Sequence, residues 1–170
     1  MSNSDPTVII RLGPDDWQIF KEIRLEALRE APEAFASTLA EATLLKEAAW
    51  RSRLNTRPHF LALIGPTAVG TVGGILTEAG PELISMWVDP RFRRSGIGAK
   101  LVDAVVEWAS PQPFDSIVLW VAPGNQAAEH LYRGRGFRRT GVSQPMAEGK
   151  NDRCEFAMSR PLDRIQAPGR

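Results

Sequence analysis

Cysteine is almost missing from this chain of 170 residues: Cys154 stands alone, so no internal disulfide can form and a reduced compartment fits best. Histidine is nearly as scarce. His59 and His130 have no Cys or second His at metal-ligand spacing, and no metal is expected. No uninterrupted apolar run approaches the length that spans a bilayer. Met1 to Thr7 carries neither a basic nor an apolar stretch, so no export signal is read there. These absences set the expectation of a cytoplasmic protein with no membrane partner. The formal net charge is +1, which leaves no global field to recruit nucleic acid or an anionic surface. Internal repeats and low-complexity stretches are also missing; only Pro161 to Arg170 reads as a flexible tail.

What is present looks like an ordinary globular protein. Hydrophobic residues make up 43% and charged residues 24%, near the soluble average. The length suits one domain, taken as 1–160, with a real core and no internal linker. A homodimer is compatible with these numbers.

Periodicity gives a mixed order of strands and helices. Thr7 to Leu12 reads as a strand, closed by Gly13-Pro14. Asp15 or Asp16 then caps a helix whose buried stripe is Trp17, Phe20, Ile23 and Ala27, ending at Ala31-Pro32. Ala34 to Thr38 reads as a loop and Leu44 to Leu54 as a second helix. Phe60 to Ile64 and Val69 to Leu76 flank Gly65-Pro66 as a hairpin, and Gly73-Gly74 suggests a bulge or a close backbone approach. Leu83 to Val88 is a strand, and Ile97, Leu101, Val105 and Trp108 mark one helical face. Ile117 to Val121 reads as a strand covered on both sides. A short helix over Gln126 to Arg133 follows, then strands near Phe137 to Val142 and Arg153 to Ser159. The strand–helix–strand unit between Leu83 and Val121 should be a right-handed parallel crossover. The fold class expected is α/β with a mixed central sheet.

The most informative segment runs from Met86 to Lys100. A strand enters a loop with two glycines, Gly96 and Gly98, and a helix starts directly behind it. Such a loop offers backbone N–H groups at the positive end of a helix dipole, which suits a phosphate. The glycines leave room for a ligand to reach the backbone. Arg93 and Arg94 add charge and donors. The spacing is not that of a Walker loop or a complete dinucleotide fingerprint, and alone it also fits a plain strand–turn–helix corner. A second half-site strengthens it. Asn125 follows the buried strand and Tyr132 lies two helical turns on, so both face the same side near the ends of two parallel strands. Alone, Asn125 reads as a helix cap and Tyr132 as a packing residue.

With these motifs in place, the sequence resembles the GNAT superfamily of CoA-dependent N-acyltransferases. Its Arg/Gln-x-x-Gly-x-Gly/Ala motif stands as Arg93-Arg94-Ser95-Gly96-Ile97-Gly98, and its later motif as Asn125 through Phe137. Arg24 to Leu28 followed by Ala31 to Phe35 looks like a common bacterial branch. The resemblance implies a splayed pair of parallel strands flanked by helices, with acetyl-CoA as cosubstrate. It implies that backbone groups of Met86, Trp87 and Val88 meet the pantetheine arm. The amides of Arg94, Ser95, Gly96, Ile97, Gly98 and Ala99 would hold the pyrophosphate, with Arg93 nearby, and Asn125 would bind the cofactor arm. Ser95 replaces the more usual Gly or Arg and leaves that backbone role intact.

The same resemblance implies direct attack of an amine on the thioester, with Val88 N–H polarising the carbonyl and Tyr132 donating to the leaving sulfur. For the base, Glu82 is nominated, fourteen positions before Gly96, where some histone-acetylating relatives carry theirs; an exposed carboxylate after Gly80-Pro81 is the plain alternative. His59 and His130 are weaker candidates. Phe35, Ser37, Trp87 and Trp120 could line the acceptor pocket, and the acceptor is expected to be a small amine, an amino acid or a peptide N-terminus. Two rivals stand beside this reading. One is a CoA-binding or inactive module of the same fold. The other is a nucleic-acid binder using Arg91, Arg93, Arg94, Arg133, Arg135, Arg138 and Arg139.

Overall fold

A computed structural model describes residues 6–146 and 153–163. Seven strands form one sheet in the order β1-β2-β3-β4-β5-β7-β6. The strands are β1 (Thr7–Arg11), β2 (His59–Ile64), β3 (Thr67–Thr77), β4 (Gly80–Val88), β5 (Ser116–Val121), β6 (Arg138–Pro145) and β7 (Cys154–Pro161). β1 to β4 pair antiparallel, as do β5, β7 and β6. The junction between these blocks, β4 beside β5, is parallel. It is crossed by α4 (Ile97–Ala109), the crossover expected from the apolar spacing.

Two cores cover the two faces. On one side α4 and α5 (Gln126–Gly134) pack Ile97, Leu101, Val105 and Tyr132 against Val72, Ile117, Leu119 and Met158. On the other, α1 (Trp17–Glu30), α2 (Leu39–Thr43) and α3 (Glu47–Thr56) bury Phe20, Ile23, Phe35 and Trp50 against Leu61 and Trp87. β5 buries Ile117, Leu119 and Val121 on the α4 face, while Ser116, Val118 and Trp120 on its other face are only half-buried, so the strand expected to be covered on both sides is fully covered on one.

Three local expectations shift. Asp16 does not bond the first-turn amides of α1: a 3-10 turn over Pro14–Asp16 intervenes, and its carboxylate accepts the Gly13 N–H at 2.7 Å. Asp15 instead pairs with Arg51. The helix expected over Leu44 to Leu54 begins only at Glu47, because Lys46 adopts an extended backbone, and a separate short helix, α2, precedes it. α2 starts earlier, at a capping box of Thr38 and Glu41. At the other end, β7 continues through Pro161 and Leu162 is buried, beyond the expected boundary at 160. Residues 164–170 of the expected tail, and Met1 to Asp5, lie outside the described residues.

Gly73 and Gly74 are both tight approaches. A Cβ at Gly73 would come 2.8 Å from the His59 ring, and one at Gly74 2.7 Å from Trp108. The bulge opposite them lies on β4. Between the pairs Thr71–Trp87 and Gly73–Ile84, Val72 alone faces Ser85 and Met86, and Ser85 takes φ 56°.

Candidate active site

The bulge turns β4 away from β5 after a single register pair, Glu82 with Val118. Past that pair the strands separate, and their C-terminal ends open into a cleft of about 2000 Å³. A volume above the range of small-ligand pockets suits a large cofactor together with a second substrate.

Backbone polarity along β4 can be read from its neighbour. Asp89 N–H bonds Val69 O at 2.9 Å, so the Val69–Asp89 pair is hydrogen-bonded and the preceding pair, Gly70–Val88, is not. The Val88 N–H and C=O therefore point away from β3, into the gap. The carbonyl accepts Arg93 Nε at 2.9 Å, leaving the N–H on the gap side.

The loop after β4 is pinned at several points. Asp89 is buried, accepts from Arg91 N–H and is ion-paired with the Arg91 guanidinium, which together hold its carboxyl below the usual range. Ser95 Oγ donates to Phe92 O. Arg94 and Gly96 both adopt positive φ, 60° and 84°, and turn the chain into α4. The first bond of α4, Lys100 N–H to Gly96 O, leaves the amides of Ile97, Gly98 and Ala99 at the open helix end beside the cleft.

The two glycines differ in purpose. A Cβ at Gly96 would meet nothing within 4 Å, so glycine there serves the left-handed backbone and an open approach. A Cβ at Gly98 would come 2.9 Å from Leu131 Cδ2. Its smallness lets α5 sit close against α4, and Gly98 also lines the cleft.

Arg93 and Trp87 share a carboxylate. Arg93 Nη2 and Trp87 Nε1 both donate to Glu30 Oε2, each at 2.8 Å, tying the loop and β4 to the end of α1. Asn125 caps α5, its Oδ1 accepting Ala128 N–H at 3.1 Å, and its side of the helix also lines the cleft. Tyr132, 6% exposed, packs edge-on against Phe137 and borders the cleft from the same helix. Burial pushes its phenol well above the ordinary value, so it stays protonated.

The remaining candidates divide. Phe35, Ser37, Trp87 and Trp120 all line the cleft, as do His59 and the exposed His130. Glu82 does not. Its side chain bonds Trp120, which does line the cleft; burial raises its carboxyl above the usual range, and the Trp120 bond partly offsets this. Sequence reasoning passed over Glu30, which organises the loop, and Arg24, which is buried on the cleft side of α1. Arg24 was findable. It is four residues after Phe20 and three before Ala27, on the stripe already read as buried.

Residues 19–137 match the acetyltransferase (GNAT) family model. Human N-acetyltransferase 8 is 33% identical over 81 residues, covering 44% of this chain and 36% of that protein. Human N-acetylaspartate synthetase is 35% identical over 86 residues, covering 49% of this chain and 28% of that protein. The chain thus spans well under half the length of these curated relatives. Among solved structures, a GNAT superfamily phosphinothricin acetyltransferase from Sinorhizobium meliloti in complex with acetyl-CoA superposes with a TM-score of 0.74. It is 18% identical, covering 96% of this chain and 93% of the other, and shows the shared fold.

Proposed function

The chain belongs to the GNAT acetyltransferase family, and we propose that it transfers the acetyl group of acetyl-CoA directly to a primary amine. The observation that carries this reading is the divergence of β4 and β5 beside the open N-terminus of α4, with a protonated Tyr132 on the opposite wall.

Bound acetyl-CoA supplies an activated acyl carbon, from which the amine nitrogen displaces the thiolate. The amides at the start of α4 would hold the pyrophosphate, where helix dipole and unpaired N–H groups favour an anion. Val88 N–H, directed into the gap, would donate to the acyl oxygen as it gains charge. Burial keeps Tyr132 protonated, and as charge builds on the departing sulfur its hydroxyl would donate a hydrogen bond there, general-acid help typically worth about 10²–10⁴ in rate. Asn125 and the backbone of Met86 would orient the pantetheine arm.

The amine must arrive neutral. Freeing an alkylamine of pKa near 10.4 at pH 7 costs roughly 4–5 kcal/mol, whereas an α-amino group near 8 costs only about 1–1.5 kcal/mol. Glu82 is the proposed end of the proton's path. Its raised pKa makes it a better acceptor than an ordinary carboxylate, and from beside Trp120 it would act through solvent.

Nucleic acid is not favoured as a partner: Arg91, Arg93, Arg133, Arg135 and Arg139 are each held by a carboxylate. The reading is tested by calorimetric titration with acetyl-CoA, followed by assay of free thiol in the presence of primary amines. Binding together with amine-dependent thiol release is expected. Binding without release for any amine would leave the inactive module as the better account.

A further inference from the structure

One wall of the cleft carries a buried cation with no counter-ion among the described residues. Arg24 on α1 is 7% exposed, and its Nη1 is buried with no hydrogen-bond partner among the described residues. Its guanidinium lies 4.4 Å over the Phe35 ring, and both side chains line the cleft. A buried guanidinium with a free donor is costly unless something pairs with it. The neighbours do not. Arg53 and Arg57 line the same wall, and no carboxylate among the described residues forms an ion pair with Arg24, Arg53 or Arg57. The carboxylate of Glu30, also on this wall, is already occupied by Trp87 and Arg93. The burial and the mutual repulsion lower the Arg24 pKa to about 10, still charged at neutral pH.

The position of this cluster fits an acceptor rather than the cofactor. His59, which is in contact with Phe20 of α1, pairs across the sheet with Gly73, and Gly73 with Ile84. Ile84 is two residues beyond the last β4–β5 register pair. The cationic wall therefore stands on the β2–β3 side of the point where the strands part, while the phosphate-binding helix end lies at the far end of β4.

We propose that Arg24, supported by Arg53 and Arg57, is a carboxylate-binding subsite, so that the acceptor is an amine that also carries a carboxylate, as a free amino acid does. The inference rests on the acetyl-transfer reading and narrows it. Arg24 offers the unpartnered Nη1 of a guanidinium to a carboxylate, and its burial supplies the low dielectric in which that pairing is strong. The same positive field disfavours the ammonium form of a bound acceptor, lightening the task of any base.

The test compares each common amino acid, and a series of ω-amino acids, with its own carboxamide as acceptor for acetyl-CoA. At least one acid should be used ten- to a hundredfold better than its amide, the worth of a hydrogen bond to a charged group. Arg24→Gln should abolish that preference by raising KM for the acid, with KM for acetyl-CoA unchanged. Arg53→Gln, on a half-exposed side chain, should weaken the preference in the same direction and guards against a folding defect at position 24. Transfer to amides as good as to acids would overturn the subsite while leaving acetyl transfer standing. If no amine is acetylated, calorimetry with the same acid–amide pairs in the presence of CoA decides. Tighter binding of an acid, lost in Arg24→Gln, supports the subsite, and equal or absent binding of both members overturns it.

Discussion

Glu30 and Arg93, far apart in sequence, are joined by an ion pair of 2.8 Å between the end of α1 and the loop that opens α4. Because Trp87 Nε1 donates to the same oxygen, one carboxylate fixes α1, β4 and the loop before α4 together.

Glu30→Gln should therefore separate stability from binding. Both charged side chains are more than a third exposed, so the pair is worth at most about 1 kcal/mol in denaturant unfolding. The affinity for acetyl-CoA should fall more, severalfold by calorimetry, because the loop loses its anchor. An unchanged affinity would show that the loop holds itself.

Gly96→Ala and Gly98→Ala should behave differently. At Gly96 the backbone is left-handed, and alanine costs roughly 1–2 kcal/mol there despite open space. At Gly98 the obstacle is the far end of the Leu131 side chain, which can move, and alanine gains about 1 kcal/mol in helix propensity. Gly98→Ala should stay near wild type in thermal unfolding, and Gly96→Ala should not.

These two glycines also show what the sequence could reveal. The Arg93–Gly98 motif, the parallel crossover and the Asn125–Tyr132 spacing were all legible, because each depends on local backbone chemistry or on periodicity. The bulge at Ser85 was not, since a serine at positive φ leaves no mark in the sequence and only pairing with β3 reveals it. The break at Lys46 was hidden by apolar residues that continue the helical spacing, although Thr38-x-x-Glu41 signalled the earlier start. Glu82 sits at the expected spacing but is not among the cleft-lining residues, and its hydrogen bond with Trp120 is a tertiary contact that no spacing reveals.

The pH dependence of Glu82→Gln has a definite sign. Burial raises the Glu82 carboxyl in the folded chain, so between its unfolded and folded values the native state binds more protons and stability falls as pH rises. The glutamine variant should be more stable than wild type at pH 7, and lose that advantage below the ordinary carboxylate range. If Glu82 ends the proton path, the variant should also lose kcat/KM at pH 7 and recover it near the amine's own pKa. A rate profile parallel to wild type would remove Glu82 from the reaction.

His59 runs the opposite way. Burial first, and then Arg24, Arg57 and Arg53, push its pKa down to about 3. The unfolded imidazole titrates near 6.5, so stability should drop as pH falls from about 6.5 toward 3, and His59→Asn should flatten that slope. Arg24→Met should raise the His59 pKa in an NMR titration, because one nearby cation is gone. It should also stabilise the ligand-free protein by about 1 kcal/mol by removing a buried charge that no carboxylate among the described residues pairs with. Destabilisation with an unmoved His59 would make Arg24 a packing residue.

Acetyl transfer itself is tested most directly by following free CoA and N-acetylated product together, in wild type and in Tyr132→Phe. Wild type should form the two in equal amounts, and only when an amine is present. Tyr132→Phe should lower kcat about 10²-fold with KM for acetyl-CoA nearly unchanged, since only a proton donor is lost from a buried, packed ring. CoA released at the same rate with and without amine, with no acetylated product, would contradict the account.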